Sequence, residues 1–379
     1  MNPFVLLRDP ATYKAEEVDL VTDAPARDYW LRHFQKHFQE CMKYAADEYG
    51  KNAGNQIEEA RTEFTRLMNQ LSDDPTALPD GELSVITLDR LREEVLRKNG
   101  LRDPYRKLKR RLNEEAAELF PQVCRKLHAM KDEQRWLHLV ECIFAGNMHD
   151  LGSENTMHLT GSPAEFLEQV EQSPDRPWLV DDFDILLDDF AATPPMWSKA
   201  VLFIDNAGAD FILGMMPLAR EMALRGTAII LAANEEPALN DMTVDETVEF
   251  VQILAMKDPD LDALIQGGWF EVVSTGSTIP LLDLSNVSDE LNAAAEDAEL
   301  VVLEGMGRAV ETNYNAEFVS DSLRLAMIKS EHVAERLGGK TFDCVCKYIQ
   351  VDLPEEETEG EGEAEGEAEG DLDLESAEG

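Results

Sequence analysis

Residues Lys199 to Ile204 read KAVLFI, and Asp205 to Asp210 that follow read DNAGAD. The first half shows no alternation of apolar and polar residues. A strand exposed on one face alternates, so an unbroken run of this length reads as a strand buried on both faces of a parallel sheet. The second half ends that run abruptly with polar residues. Ligands of open α/β sheets bind just outside the carboxyl ends of the strands. Asp205 and Asn206 offer oxygen atoms suited to a hard divalent cation, and Gly208 allows a tight backbone turn. A metal site at the end of a buried strand is the hypothesis that the rest of the chain tests.

Working outward, further β-type runs occur at 228–233, 270–274, 300–303, 323–328 and 342–349. Helical patterns at 211–224 and 243–255 lie between them. This alternation implies an α/β fold with a mostly parallel, helix-covered sheet. Toward the N-terminus the pattern is helical instead. Tyr29 to Tyr49, Ile57 to Leu71, Thr87 to Asn99, Tyr105 to Met130 and Arg135 to Phe144 repeat apolar residues at helical spacing. The expected organisation is a helical N-terminal subdomain (1–145), an α/β core (146–351) and an acidic tail (352–379). His33 and His37 share a helix face at the spacing of a zinc pair, but no third ligand is near, so they read as ordinary packing beside Phe34 and Phe38.

Composition excludes several functions. The formal charge of −43 argues against nucleic-acid binding. The Glu-Gly-Glu-Ala tail holds 14 acidic residues and no Lys or Arg, which leaves −29 on the rest. No apolar run approaches the ~20 residues of a membrane span, and MNPFVLLRDP lacks the pattern of a secretory signal. Five scattered cysteines form no paired framework and read as reduced thiols of a cytoplasmic protein. Cys344 and Cys346 flank Val345 and should share one face of a strand. Self-association into a homo-oligomer is left open.

Polar clusters recur at other strand ends. The run AIILAAN leads into Asn234-Glu235-Glu236-Pro237-Ala238-Leu239-Asn240-Asp241, where Asp241 precedes a helix and reads on its own as a cap. The run ELVVLE leads into Glu304-Gly305-Met306-Gly307-Arg308. Gly305 and Gly307 would bring backbone N–H groups close to an anion, and Arg308 could grip phosphate oxygens as a fork. Lys329 ends LRLAMIK and would place a cation at the same edge. Upstream, Asn147, His149 and Asp150 belong to the Gly/Asn/Asp cluster of 145–153. There is no GxxxxGK[ST], GxSxG or HExxH motif, so P-loop, serine-hydrolase and zincin chemistry are not indicated. A carboxylate-amide metal site facing an anion cradle suits hydrolysis of a phosphomonoester.

At these residues the chain resembles the metal-dependent damage-control phosphatases catalogued as domain of unknown function 89. Its pattern is similar to the subgroup with a stand-alone plant protein and the C-terminal domain of animal pantothenate kinase four. The matching stretches are LREEVLRKNGLRDPY (91–105), FAGNMHDLGS (144–153), RPWLVDD (176–182), FIDNAGADFILGMMPLARE (203–221), LAANEEPALNDMT (231–243), EGMGRAVETN (304–313) and AERLGGKTFDCVCKY (334–348). The resemblance implies a Rossmann-like core and a divalent metal (Mg, Mn, Co or Ni) held by Asp205, Asn206 and Asp241, displacing the capping reading of Asp241. It implies phosphate contacts from Arg308 and Lys329, with Asn147 and Asp150 near the site, and Asp210 early in the next helix. The implied substrate is a small phosphorylated metabolite, 4′-phosphopantetheine or its oxidised sulfonate. A sugar phosphate and a non-catalytic phospho-metabolite-binding module are the alternatives. Whether Asp205 is a ligand only, or also a nucleophile or base, stays open at this level.

Overall fold

A computed structural model describes residues 2–15, 18–79, 81–148 and 163–351. Among them, seven strands form one sheet: β1 (Val180–Asp181), β2 (Lys199–Phe203), β3 (Ala228–Ala233), β4 (Phe270–Ser274), β5 (Leu300–Glu304), β6 (Asp321–Met327) and β7 (Cys344–Ile349). Their order is β1-β7-β6-β5-β2-β3-β4. The five strands from β6 to β4 run parallel. β7 runs antiparallel to β6, and β1 pairs parallel with β7. The α/β reading therefore holds. β1 left no trace in the sequence pattern, because two paired residues make no apolar run.

The unalternating strand is buried on both faces, as its sequence implied. Ala200, Leu202 and Ile204 enter the core on one side of the sheet, and Val201 and Phe203 enter the core on the other. Cys344 and Cys346 lie together on the first side and Val345 on the second. All five thiols are buried and unpaired.

The N-terminal helices are α1 (Ala24–Tyr49), α2 (Gly54–Asp73), α3 (Val85–Lys98), α4 (Arg106–His128) and α5 (Asp132–Asn147). Side-chain caps start two of them: Asp23 accepts the Ala26 N–H at the head of α1, and Ser84 accepts the Thr87 N–H at the head of α3. These helices divide between two cores. Residues of α1 to α3, including Trp30, Phe34, Phe38 and Phe64, pack mainly on one another. Phe120 of α4 and Trp136 and Phe144 of α5 pack into the core against the sheet. The expected division at 145 falls within α5, and the packing changes partner before Ala116. Helical periodicity reports that a face is apolar, not which surface will cover it.

The first residues join the opposite face of the sheet. The Phe4 N–H donates to the Leu284 carbonyl at 2.8 Å, and its ring packs edge-on against Phe203 at 5.5 Å. No helix among the described residues is long and apolar enough to cross a membrane. Phe4 is fully buried, so Phe4→Ala should cost about 3 kcal/mol in urea unfolding; a loss below ~1 kcal/mol would mean the segment is not part of the core.

Candidate metal centre

Pairing continues beyond β2 and brings distant residues together. The Met242 N–H donates to the Asp205 carbonyl at 2.9 Å, and the Ala207 N–H to the Asn240 carbonyl at 2.8 Å. Asn206 thereby lies in a bridge opposite Asp241. Asp241 does not cap the helix that follows. Thr243 is the cap, in a reciprocal capping box with Glu246. Leu239, just before this bridge, adopts a left-handed backbone with φ 49. Such strain persists only where surrounding contacts hold it, often at functional sites. Two π-helical turns, Asp210–Met215 and Met306–Glu311, flank the same place. Turns of this kind are rare and recur near functional sites.

A dense polar network links the strand ends. Arg308 Nε donates to Asp205 Oδ1 at 3.0 Å, and its Nη2 donates to Asp241 Oδ2 at 2.6 Å. Asn234 supports the same pair, donating to Asp241 Oδ2 at 3.0 Å and lying 3.3 Å from Arg308 Nη2. Asn206 Nδ2 donates to Asp205 Oδ2 and Asp210 Oδ2 at 3.0 and 2.9 Å. Both acceptors are carboxylates, so the amide nitrogen must face them. That orientation reserves Asn206 Oδ1 for accepting or ligating.

Behind this layer lies a second set of acids. Oxygens of Asp205, Asp210 and Glu304 all fall within 4.8 Å of one another, and all three residues are buried. Asp210 Oδ1 and Glu304 Oε2 have no hydrogen-bond donor among the described residues. Burial pushes the Glu304 carboxyl well above its usual range, and Asp210 and Asp205 push it further. Burial also raises Asp210, with Lys329 opposing. Asn147 ties the set together, donating to Glu304 Oε1 at 2.8 Å while its backbone carbonyl accepts from Lys329 Nζ at 2.8 Å. Buried acids short of donors, built from hard oxygen atoms, fit a divalent cation.

A cavity of about 320 Å³ opens onto this centre. Asp205, Asn206, Asp241, Gly307 and Lys329 are part of its lining. Lys329, expected as a cation at this edge, is buried there. The rest of the wall comes from outside the sheet: Tyr29, Trp30, His33 and Phe34 of α1, Val85, Asp89 and Arg92 of α3, with Leu239 and Leu281. Tyr29 fastens α1 across the opening, its hydroxyl 3.3 Å from Ser330 Oγ and its ring stacked on His332. Arg92 is spent on Asp89 and Glu93 at 2.6 and 2.9 Å, and burial pushes Asp89 up to about 6 against the pull of Arg92.

Residues 31–345 match the family described as the damage-control phosphatase ARMT1-like domain. The chain belongs to that family. Within it, the chain is 38% identical to a damage-control phosphatase of Arabidopsis thaliana, covering 89% of this chain and 92% of that protein. It is 39% identical to pantothenate kinase 2 of the same plant and 33% identical to a 4′-phosphopantetheine phosphatase of Mus musculus. Those alignments cover 92% and 90% of this chain, but only 42% and 48% of the relatives' length. A solved DUF89 family protein from Pyrococcus horikoshii shares the fold, with a TM-score of 0.59 and 18% identity over 84% of this chain and 96% of that one.

In this damage-control phosphatase domain, the residues singled out in the sequence are only partly gathered at the cavity. Arg308, Gly305 and Asn147 lie behind its lining. Arg308 is buried with two of its nitrogens on carboxylates rather than presented as an open fork. His149 and Asp150 lie outside the described residues. Glu304 and Asp210 went unassigned as site carboxylates, although Glu304 ends β5 and obeys the same strand-end rule that picked out Asp205. The aromatic wall of α1 carried no signal, since aromatics at helical spacing read as core.

Gly305 makes room for Asp205. Its backbone has φ +93, and a Cβ there would lie 2.7 Å from Asp205 Cγ. Gly305→Ala should weaken Mn²⁺ binding roughly 10–100-fold in calorimetry, by displacing that carboxylate. Gly54→Ala, where a Cβ meets nothing within 4 Å, should leave it unchanged. Equal Mn²⁺ affinity in both variants would refute this role.

Proposed function

We propose that this protein is a metal-dependent phosphomonoesterase acting on a metabolite with an extended, largely uncharged arm, of the 4′-phosphopantetheine type or its oxidised sulfonate. The observation that carries the reading is the mixed lining of the cavity. Asp205, Asn206, Asp241 and Lys329 contribute to it together with Tyr29, Trp30, Phe34, Val85 and Leu281, and with Asp89 and Arg92, which pair with each other. A phosphate belongs beside the strand-end group and an apolar or amide-bearing chain along the aromatic and aliphatic side chains. The aromatic and aliphatic share of that lining favours the longer ester over a sugar phosphate.

Asp205, Asn206 and Asp241 would hold the cation, because they face the cavity while Asp210 and Glu304 stand behind them. The cation, when bound, supplies Lewis-acid polarisation of a phosphoryl oxygen. Lys329 meets charge on the transferring group. Asn147 holds Lys329 in place through its backbone carbonyl and side-chain oxygen, at 2.8 and 3.2 Å. Asp210 fixes the Asn206 amide so that its oxygen stays turned to the ligand. Tyr29 and the α1 face shield the ester from water.

The test is phosphate release from 4′-phosphopantetheine, its sulfonate and common sugar phosphates with Mg²⁺, Mn²⁺, Co²⁺ and Ni²⁺ in turn. Turnover should require metal and favour the pantetheine esters. Asp205→Asn and Asp241→Asn should each reduce it to background while thermal unfolding stays cooperative. Full activity in both variants, or saturable binding without phosphate release in wild type, would overturn the assignment. Tyr29→Ala should raise KM for the long ester up to roughly tenfold, from lost aromatic packing, and spare a short aliphatic phosphomonoester.

A further inference from the structure

We infer that Arg308 is a positioning residue for the metal-ligand carboxylates and not the clamp on the substrate phosphate; this rests on the metal-dependent reading above. The guanidinium is planar and its donors point in fixed directions. Here Nε is on Asp205 Oδ1 at 3.0 Å and Nη2 is on Asp241 Oδ2 at 2.6 Å. One rigid cation therefore sets the separation and facing of two carboxylates that reach the site from different strand ends. Asn234 braces the arrangement from the far side, contacting both Arg308 and Asp241.

Burial and backbone point the same way. Arg308 is 1% exposed and absent from the lining of the cavity, whereas Lys329 belongs to that lining. A bidentate grip on phosphate needs two parallel N–H groups. Only Nη1 lacks a hydrogen-bond partner among the described residues, so a fork would have to take Nη2 from Asn234 or Asp241, or Nε from Asp205. The chain around Arg308 is equally committed. Its carbonyl accepts from Asn313 Nδ2 at 2.8 Å, and the π-helical turn Met306–Glu311 fixes its direction. With Gly305 vacating space for the Asp205 carboxylate, the segment 304–308 forms a seat for the ligands and not an anion cradle.

Arg308 also answers an electrostatic need. Asp205, Asp210, Glu304 and Asp241 converge in a largely buried volume. Mutual repulsion would spread them unless a cation held them at fixed positions. A cation fastened to one oxygen each of Asp205 and Asp241 keeps the pair together before a metal arrives. The cost of gathering the ligands is then met in the fold and not drawn from metal binding.

The test is calorimetric titration of Mn²⁺ into the metal-free full chain, followed by inorganic phosphate into the metal-saturated protein. Arg308→Lys keeps the charge but cannot span both carboxylates. It should weaken Mn²⁺ binding roughly 10–100-fold, as lost outer-sphere partners do, and change phosphate affinity less than about twofold once metal is saturating. Lys329→Gln should show the reverse. Phosphate affinity lost in metal-saturated Arg308→Lys, or an unaltered Mn²⁺ affinity, overturns the inference. Wild-type protein that binds no Mn²⁺ fails the underlying metal reading and the inference with it. Should Arg308→Lys not fold, Asn234→Ala reads the same coupling, and an unaltered Mn²⁺ affinity there counts equally against it.

Discussion

Arg308 lying between Asp205 and Asp241 is the interaction around which this site is organised. Carboxylates withdrawn from water are costly unless something pairs with them. Here they gather where β2, flanked by β5 and β3, ends at the centre of the five parallel strands. Central placement makes the site convergent, because neighbouring strands deliver side chains to one edge. It also deprives those side chains of solvent. A planar, permanently charged group that touches two acids at once resolves the conflict. The π-helical turn and the left-handed glycine at 305 are what aim it.

The molecule divides its labour by element type. Strand ends supply the groups suited to metal and phosphate. The helices α1 and α3, packed mostly on one another, supply the aromatic and apolar wall. Rigid sheet edges hold polar atoms to within tenths of an ångström, as catalysis demands. A separate helical layer can change its side chains without disturbing them. In such an arrangement reaction type follows the sheet and substrate preference follows the helices.

Much of this was legible in the chain. KAVLFI announced a doubly buried parallel strand because burial on both faces removes alternation, and the positions past it were marked by the general rule for α/β sheets. Glu304 obeys the same rule and was readable in principle. Asp241 was not, from local pattern alone: a residue just before a helix looks like a cap, and only Thr243 with Glu246 reveals who caps. Arg308 was visible as a cation beside glycines, but a guanidinium's partners depend on which acids the fold carries to it. The α1 wall was invisible, since Tyr29, Trp30, His33 and Phe34 at helical spacing state that a face is covered and say nothing of a cavity.

Sequence by itself therefore determined the fold class, the strand that carries the site and the residue types gathered at its end. These follow from periodicity and turn chemistry, which are local. Tertiary structure decided the rest: that Asp241 sits opposite Asn206, that Arg308 is spent on two carboxylates, and that α1 closes the cavity. Each of these is a pairing between residues far apart in the chain. A side chain's hydrogen-bond partners and its exposure are properties of the packed molecule, fixed only when separate segments meet.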